Sequence, residues 1–259
     1  MKIALVQMNI QEKNKTANVE NGLELLQQAV VGNDIVLMPE IWTTGYSLSR
    51  LEMEAEELTG PVVQRVQALA QQHKCAVIAG SVPLRLEGKI YNTAIAVNRE
   101  GAIVSLYSKM HLFGLFHEEN FFAAGASYET YQLGEASCAT AICYDLRFPE
   151  LFRRLALKGA QVIFVPAEWP EMRGDVWRLL LQARAMENGI YICAVNCVGT
   201  FKGESFYGHS MIVAPDGSIV TEGSGDAGII TGAIDLATII HVRKRINALA
   251  DIRPELFAK

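Results

Sequence analysis

Short apolar runs of strand length alternate with one-sided helical stripes along this chain, and the same order is run through twice. Runs at 3–8, 35–38, 76–82, 93–97 and 103–107 read as strands. Between the first two, Val19, Leu23, Leu26 and Val30 recur at i, i+4, i+7 and i+11. Before the third, Val62, Val66, Leu69 and Ala70 form a second stripe, opened by Thr59-Gly60-Pro61. Asn98-Arg99-Glu100-Gly101 joins two β-patterned runs as a hairpin. The second half repeats the schedule: a strand at 138–143, a helix over 149–158, a strand at 162–166, a helix over 175–187 and a strand at 191–195. A hairpin turning at Pro215-Asp216-Gly217 and a strand near 229–234 complete it. Each half reads βαβαβ plus a hairpin. The expected fold is α/β, a four-layer αββα sandwich of two mixed sheets with pseudo-two-fold halves. With no Ser/Gly-rich or Pro-rich linker between the halves, one domain over 1–259 is expected.

Composition narrows the function classes. Half of the 259 residues are hydrophobic, 20% are charged and the formal net charge is -5, with no broadly basic region. A chain like this buries a core, and it lacks the clustered Lys and Arg that phosphate-backbone binding needs, so no nucleic-acid partner is expected. The first ten residues alternate rather than forming a signal peptide's apolar stretch. The longest apolar stretch near the end, 228–242, is broken by Asp235 and His241, well short of a bilayer span of ~20 apolar residues. A cytoplasmic protein with no membrane segment is the expectation. The cysteines at 75, 138, 143, 193 and 197 contain no CxxC pair, so they read as thiols rather than as a disulfide framework or zinc site.

Open α/β sheets place ligands beyond the carboxyl ends of their strands, so polar residues directly after apolar runs carry the most weight. Glu40, Lys109 and Cys143 occupy such positions: a base, a cation and a nucleophile at equivalent strand ends. Alone, Glu40 would be a solvated loop carboxylate, Lys109 a snorkelling surface lysine and Cys143 a small buried hydrophobe like the other four cysteines. Cys143 differs in preceding a turn into a helix, where backbone N–H groups and the helix dipole favour a thiolate. His111 and His209 follow other motifs and read as hydrogen-bonded structural histidines, which disfavours a Cys-His protease. No His/Cys/carboxylate spacing matches a metal site, and no cofactor is expected. Gly223-Ser224-Gly225-Asp226-Ala227-Gly228 satisfies GxGxxG but is followed by a strand pattern, and reads as a loop. The basic run at 241–245 reads as a solvated helix face or subunit contact.

The combination of Pro39-Glu40, the run Tyr107-Ser108-Lys109-Met110-His111-Leu112-Phe113 and the run Ile142-Cys143-Tyr144-Asp145-Leu146-Arg147-Phe148-Pro149-Glu150 resembles the nitrilase superfamily of carbon-nitrogen hydrolases. The resemblance spans nearly the whole chain and includes 183–188, Asn196, Gly208-His209-Ser210 and the Asp216-Gly217 turn. Within the family it runs to bacterial ω-amidases acting on 2-oxoglutaramate, the branch associated with methionine salvage, through 37–46 and Ala167-Glu168-Trp169-Pro170.

The resemblance implies a Glu, Lys and Cys catalytic set and a homodimer, with 239–259 as a candidate contact. A second glutamate is implied after Lys109; counting back from Gly125 favours Glu118, with Glu119 as the alternative. In the implied chemistry Glu40 takes the Cys143 proton, the thiolate attacks an amide, and ammonia leaves behind a thioester that water hydrolyses. Lys109 and the backbone N–H of Tyr144 would stabilise the oxyanion, while Glu118 supports Lys109 or the substrate nitrogen. A 2-oxo dicarboxylic monoamide carries a carboxylate opposite its scissile amide, and Arg173 is the candidate cation for it. Trp42, Tyr46 and Trp169 are candidates for the walls of the acyl pocket, packing being the plain alternative for each. Other readings are a nitrilase or N-carbamoyl amide hydrolase and, outside enzymes, a binding protein that keeps the sandwich for assembly.

Overall fold

The computed structural model describes residues 1–256. Six strands form the first sheet: β1 (Lys2–Gln7), β2 (Ile35–Leu37), β3 (Ala76–Leu86), β4 (Lys89–Val97), β5 (Ile103–Ser108) and, from the far end of the chain, β14 (Gly228–Ala233). The second sheet contains β6 (Tyr131–Leu133), β7 (Ala136–Thr140), β8 (Val162–Pro166), β9 (Tyr191–Val195), β12 (Met211–Val213) and β13 (Ile219–Glu222). A two-residue ribbon, β10 (Thr200–Phe201) with β11 (Glu204–Ser205), stands apart.

The strand orders are β14-β1-β2-β3-β4-β5 and β13-β12-β9-β8-β7-β6. In each sheet a parallel trio (β1-β2-β3 or β7-β8-β9) is flanked by an antiparallel hairpin on one side and a single antiparallel strand on the other. This is the expected αββα sandwich with pseudo-two-fold halves. The sequence pattern misses β6, which pairs with β7 across a tight turn, and it ends the Cys138 strand too late: β7 stops at Thr140, leaving Cys143 on the turn beyond.

Strand periodicity creates the layers. Side chains of a strand alternate between its two faces, and Ile3 and Leu5 of β1 join Val162, Phe164 and Ile212 in the core between the sheets. Ala4 and Val6 point the other way, toward Leu23 and Leu26 of α1 (Lys15–Ala29) and Val62 and Val66 of α3 (Pro61–His73). The short α2 (Leu51–Glu54) lies between those helices in sequence. On the opposite outer face, α4 (Pro149–Leu157) and α5 (Gly174–Asn188) cover Ile163, Val165 and Ile192 with Phe152, Leu155, Trp177 and Leu181. Asn14 caps α1, its side chain accepting from Ala17 N at 3.2 Å. The basic run falls in α6 (Ala237–Arg245), where Ile239 is buried and Ile240 is exposed. Of the segment named as a subunit contact, 257–259 lie outside the described residues.

Candidate active site

Glu40, Lys109 and Cys143 converge where the carboxyl ends of β2, β5 and β7 meet between the sheets. β5 runs antiparallel to β4, which runs antiparallel to β3, so its carboxyl end shares an edge with β2. Two glycines allow the close approaches. At Gly80, with φ +61°, an added Cβ would fall 1.9 Å from Pro39 O. The resulting bulge in β3 lets Ser81 N donate to Pro39 O at 3.0 Å and Ser81 Oγ accept from Ile41 N at 2.9 Å, which brackets Glu40. At Gly125 a Cβ would lie 2.0 Å from Ser108 O, and Gly125 N donates to Lys109 O at 2.9 Å.

Lys109 is fully buried, and its Nζ donates to Glu40 Oε1 and Glu118 Oε1, each at 2.8 Å. Burial alone would lower its pKa, but Glu118 and Glu40 outweigh that and hold the ammonium charged well above its ordinary range. Of the two neighbouring glutamates it is Glu118 that pairs with Lys109; Glu119 lies at the surface, 3.6 Å from His117. Glu118 also accepts from Tyr46 Oη at 2.9 Å and from Phe113 N at 2.9 Å. Its own pKa is raised by burial, a push the Lys109 ammonium opposes.

Cys143 begins a 3-10 turn (Cys143–Arg147) with φ +43°, a conformation costly for any residue with a Cβ. The Tyr144 N–H lies in the first part of that turn, where such groups lack partners within the turn. The Cys143 Sγ donates to Glu168 O at 3.9 Å, and the Glu40 and Lys109 charges both bear on it. Burial and the Glu40 charge push the thiol well above its ordinary pKa, and Lys109 only partly offsets them. This corrects the expectation of a thiolate favoured by the helix start. The turn is too short to carry a useful dipole, and the resting group is a neutral thiol beside the Glu40 carboxylate.

Several residues essential to this geometry were absent from the sequence reading as site residues. Asn92, fully buried in β4, donates from Nδ2 to Glu40 Oε1 at 2.9 Å, and Glu168 N donates to Glu40 Oε2 at 2.9 Å. Asp145 ties the Cys143 turn to the Lys109 segment. Its Oδ2 accepts from Tyr107 Oη at 2.6 Å and from Ile142 N at 2.9 Å, and its Oδ1 accepts from His111 N at 3.1 Å. His111 Nδ1 lies 2.7 Å from that same Oδ1, so this histidine is hydrogen-bonded within the scaffold, as expected. Asn92 lies just ahead of the apolar run at 93–97, where a polar residue carries little signal; Asp145, Arg147 and Glu168 lie inside the runs that carry the family resemblance.

A small pocket opens at Cys143, lined by Phe113, Tyr144, Arg147, Trp169, Pro170 and Arg173 along with Glu168. Trp169 and Arg173, two of the residues proposed from the sequence, line this pocket, and Arg147 adds a second cation. Arg147 lies 5.2 Å from the Trp169 ring and Arg173 5.9 Å from the Phe113 ring. Tyr46 sits deeper, as the Glu118 partner and against Phe116 and Phe201. Trp42 does not belong to the pocket. It is packed under α1, where a Cβ on Gly22 would strike its ring at 2.5 Å, and its indole N–H donates to Ala79 O at 2.7 Å. An aromatic two residues after Glu40 follows the chain back toward the helix layer rather than toward the thiol.

The carbon-nitrogen hydrolase family model matches residues 2–244. The chain is 36% identical over 255 residues to a 2-oxoglutaramate amidase of Bacillus subtilis (strain 168), covering 98% of each chain. Among solved structures, XC1258 from Xanthomonas campestris, a CN-hydrolase superfamily protein with an arsenic adduct in its active site, superposes with a TM-score of 0.91 at 29% identity, covering 98% of this chain and 97% of that one. A mutant of the amidase from Nesterenkonia sp. AN1, which shows the result of Michael addition of acrylamide at the active site cysteine, superposes with a TM-score of 0.88 at 27% identity, covering 99% of this chain and 98% of that one. Matched by the family model along nearly its whole length and built on the same sandwich, the chain belongs to the carbon-nitrogen hydrolase family.

Proposed function

We propose that the protein is a cysteine-dependent amidase that hydrolyses the ω-amide of a small 2-oxo dicarboxylic acid monoamide such as 2-oxoglutaramate. The observation that carries the chemistry is a buried thiol on a strained turn, beside a buried Glu40 carboxylate that is ion-paired to the Lys109 ammonium. Glu40 accepts the Cys143 proton as sulfur attacks the amide carbon, then returns it to the leaving nitrogen; ammonia departs and a thioester remains. Because the resting thiol is neutral, this transfer is coupled to the attack. Lys109 and the Tyr144 N–H carry the oxyanion charge, and Glu118 fixes Lys109 on that task. Water activated by Glu40 then releases the acid.

The substrate class rests on the relative in Bacillus subtilis and on two cations at the pocket mouth. Arg147 and Arg173 flank Trp169, where the distal carboxylate of a short 2-oxo acid can take charge-assisted hydrogen bonds. Ammonia release from 2-oxoglutaramate, glutamine, an aliphatic nitrile and an N-carbamoyl amino acid tests this reading. Turnover confined to the first supports it, and turnover of another compound in preference replaces the substrate class. Arg147→Ala and Arg173→Ala should each raise KM for acidic amides far more than for neutral ones; equal losses would remove the arginines from recognition.

We further propose a cytoplasmic homodimer serving the methionine-salvage branch that the sequence resembles. Five free cysteines suit a reducing compartment, and no helix among the described residues is long and apolar enough to cross a membrane. Met172, Leu179 and Met186 form an exposed apolar line along α5 and the turn before it, a surface suited to a second copy. Light scattering coupled to size exclusion should give twice the chain mass; a monomer would end the dimer proposal.

A further inference from the structure

Glu168 has no assigned part in the chemistry above, yet it lies between its two main actors. Its backbone N–H holds Glu40 Oε2 at 2.9 Å and its carbonyl faces Cys143 Sγ at 3.9 Å. Its side chain is 1% exposed and, among the described residues, neither carboxyl oxygen has a hydrogen-bond partner. An unpartnered buried carboxyl forfeits its hydration with nothing in return, and native structures keep such groups where a ligand or ordered water completes them.

The surroundings limit what that ligand can be. Burial first, then Glu40, pushes the Glu168 carboxyl well above the ordinary carboxylate range toward its neutral form, with Lys109 opposing and Glu118 adding to the push. Oε1 faces Gly45, where even an added Cβ would lie at an ordinary contact distance of 3.7 Å, so the gap left by the missing side chain suits a small partner. A neutral carboxyl offers one O–H donor and one carbonyl acceptor, and a water molecule presents the matching acceptor and donors. Buried waters bind where two to four polar partners converge, and Glu40 is the base the second half of the reaction needs for a water.

We propose that the Glu168 side chain holds the hydrolytic water beside Glu40 and is thereby a catalytic residue of thioester hydrolysis, an inference that rests on the amidase reading. The water oxygen bonds to the thioester carbon, and one of its protons passes to Glu40. The carbon–sulfur bond then breaks, and that proton moves from Glu40 to Cys143 Sγ. Atoms and charge balance with no other reactant, and Glu168 contributes orientation without changing its own proton count.

The test separates the two half-reactions. Ammonia reports formation of the acyl-enzyme and free acid reports its hydrolysis, so both are followed in rapid-quench experiments with 2-oxoglutaramate, with intact-mass measurement of the quenched enzyme. Glu168→Ala should slow hydrolysis about tenfold more than acyl-enzyme formation, the loss expected of one hydrogen bond. Ammonia then appears in a burst and the mass of the acylated protein accumulates. Glu168→Gln keeps the shape with a donor and an acceptor, and should fall between wild type and Glu168→Ala; it serves alone if the alanine variant does not fold. Equal slowing of both steps, or no accumulation of acyl-enzyme in either variant, overturns the role. A wild-type enzyme that releases no ammonia overturns the amidase reading and this inference together, an outcome distinct from an active wild type with unchanged partition.

Discussion

A lysine ammonium enclosed by two carboxylates is held by charge and not by solvent, so each of the three groups depends on the others. Lys109→Met would leave Glu40 and Glu118 as uncompensated neighbours. It should cost about 3–5 kcal/mol of stability, the penalty for breaking a buried pair, in addition to abolishing turnover; urea unfolding measures the first. Glu40→Gln should retain the fold and lower kcat by about 10²- to 10⁴-fold, the contribution of a positioned general base. Glu168 provides a pH signature. Its carboxyl titrates higher in the folded protein than in the unfolded chain, so its stabilising contribution is present below the unfolded value, about 4.3, and is lost as pH rises toward the folded one. Glu168→Gln cannot ionise in either state, so its melting temperature relative to wild type should climb as pH rises above about 4; a flat difference contradicts a raised Glu168 pKa. At this scale the sequence was readable where chemistry and position coincide. Glu40, Lys109 and Cys143 end apolar runs, whereas Asn92 lies just ahead of the run at 93–97 and is invisible until Glu40 is placed opposite it.

Elements reach the site through backbone approach as much as through side chains. Gly80→Ala would push a methyl group into Pro39 O and impose a positive φ on alanine, and should cost about 3 kcal/mol while displacing Glu40, with kcat falling in the folded fraction. Asn196 plays the corresponding part beyond β9. It accepts from Trp169 N at 2.7 Å and Cys197 N at 2.9 Å, and donates to Trp169 O at 3.2 Å and Gly208 O at 3.0 Å, so it fixes the segment that forms the pocket wall. Asn196→Ala strands those backbone groups. It should raise KM together with a loss of stability, and a change in stability alone would leave the wall independent of it. Strand and helix periodicity made 162–166 and 191–195 legible to the residue, because both faces of those parallel strands are buried. The β6 hairpin strand was not, since three residues are too few for a period to show. Trp42 was misplaced for a related reason: a position after a strand end does not say which layer a loop turns back to.

The molecule as a whole is two copies of one sheet plan facing each other, with the base and ammonium supplied by the first sheet and the thiol by the second. Ties between the sheets hold that register, among them Tyr107 with Asp145 near the thiol and Gln7 Oε1 accepting from Ser210 Oγ at 2.7 Å. The pseudo-repeat was visible in the order of elements. The exchange that places β14 from the chain's end beside β1 was not, because pairing partners distant in sequence leave no local pattern. With the work divided between the sheets in this way, one covalent event reports on all of it. Enzyme quenched in acid during turnover of 2-oxoglutaramate, weighed intact and mapped by peptide, should carry the acyl group on Cys143, and Cys143→Ala should carry none and release no ammonia. Ammonia release by Cys143→Ala, or an acyl group on any other residue, would contradict the mechanism.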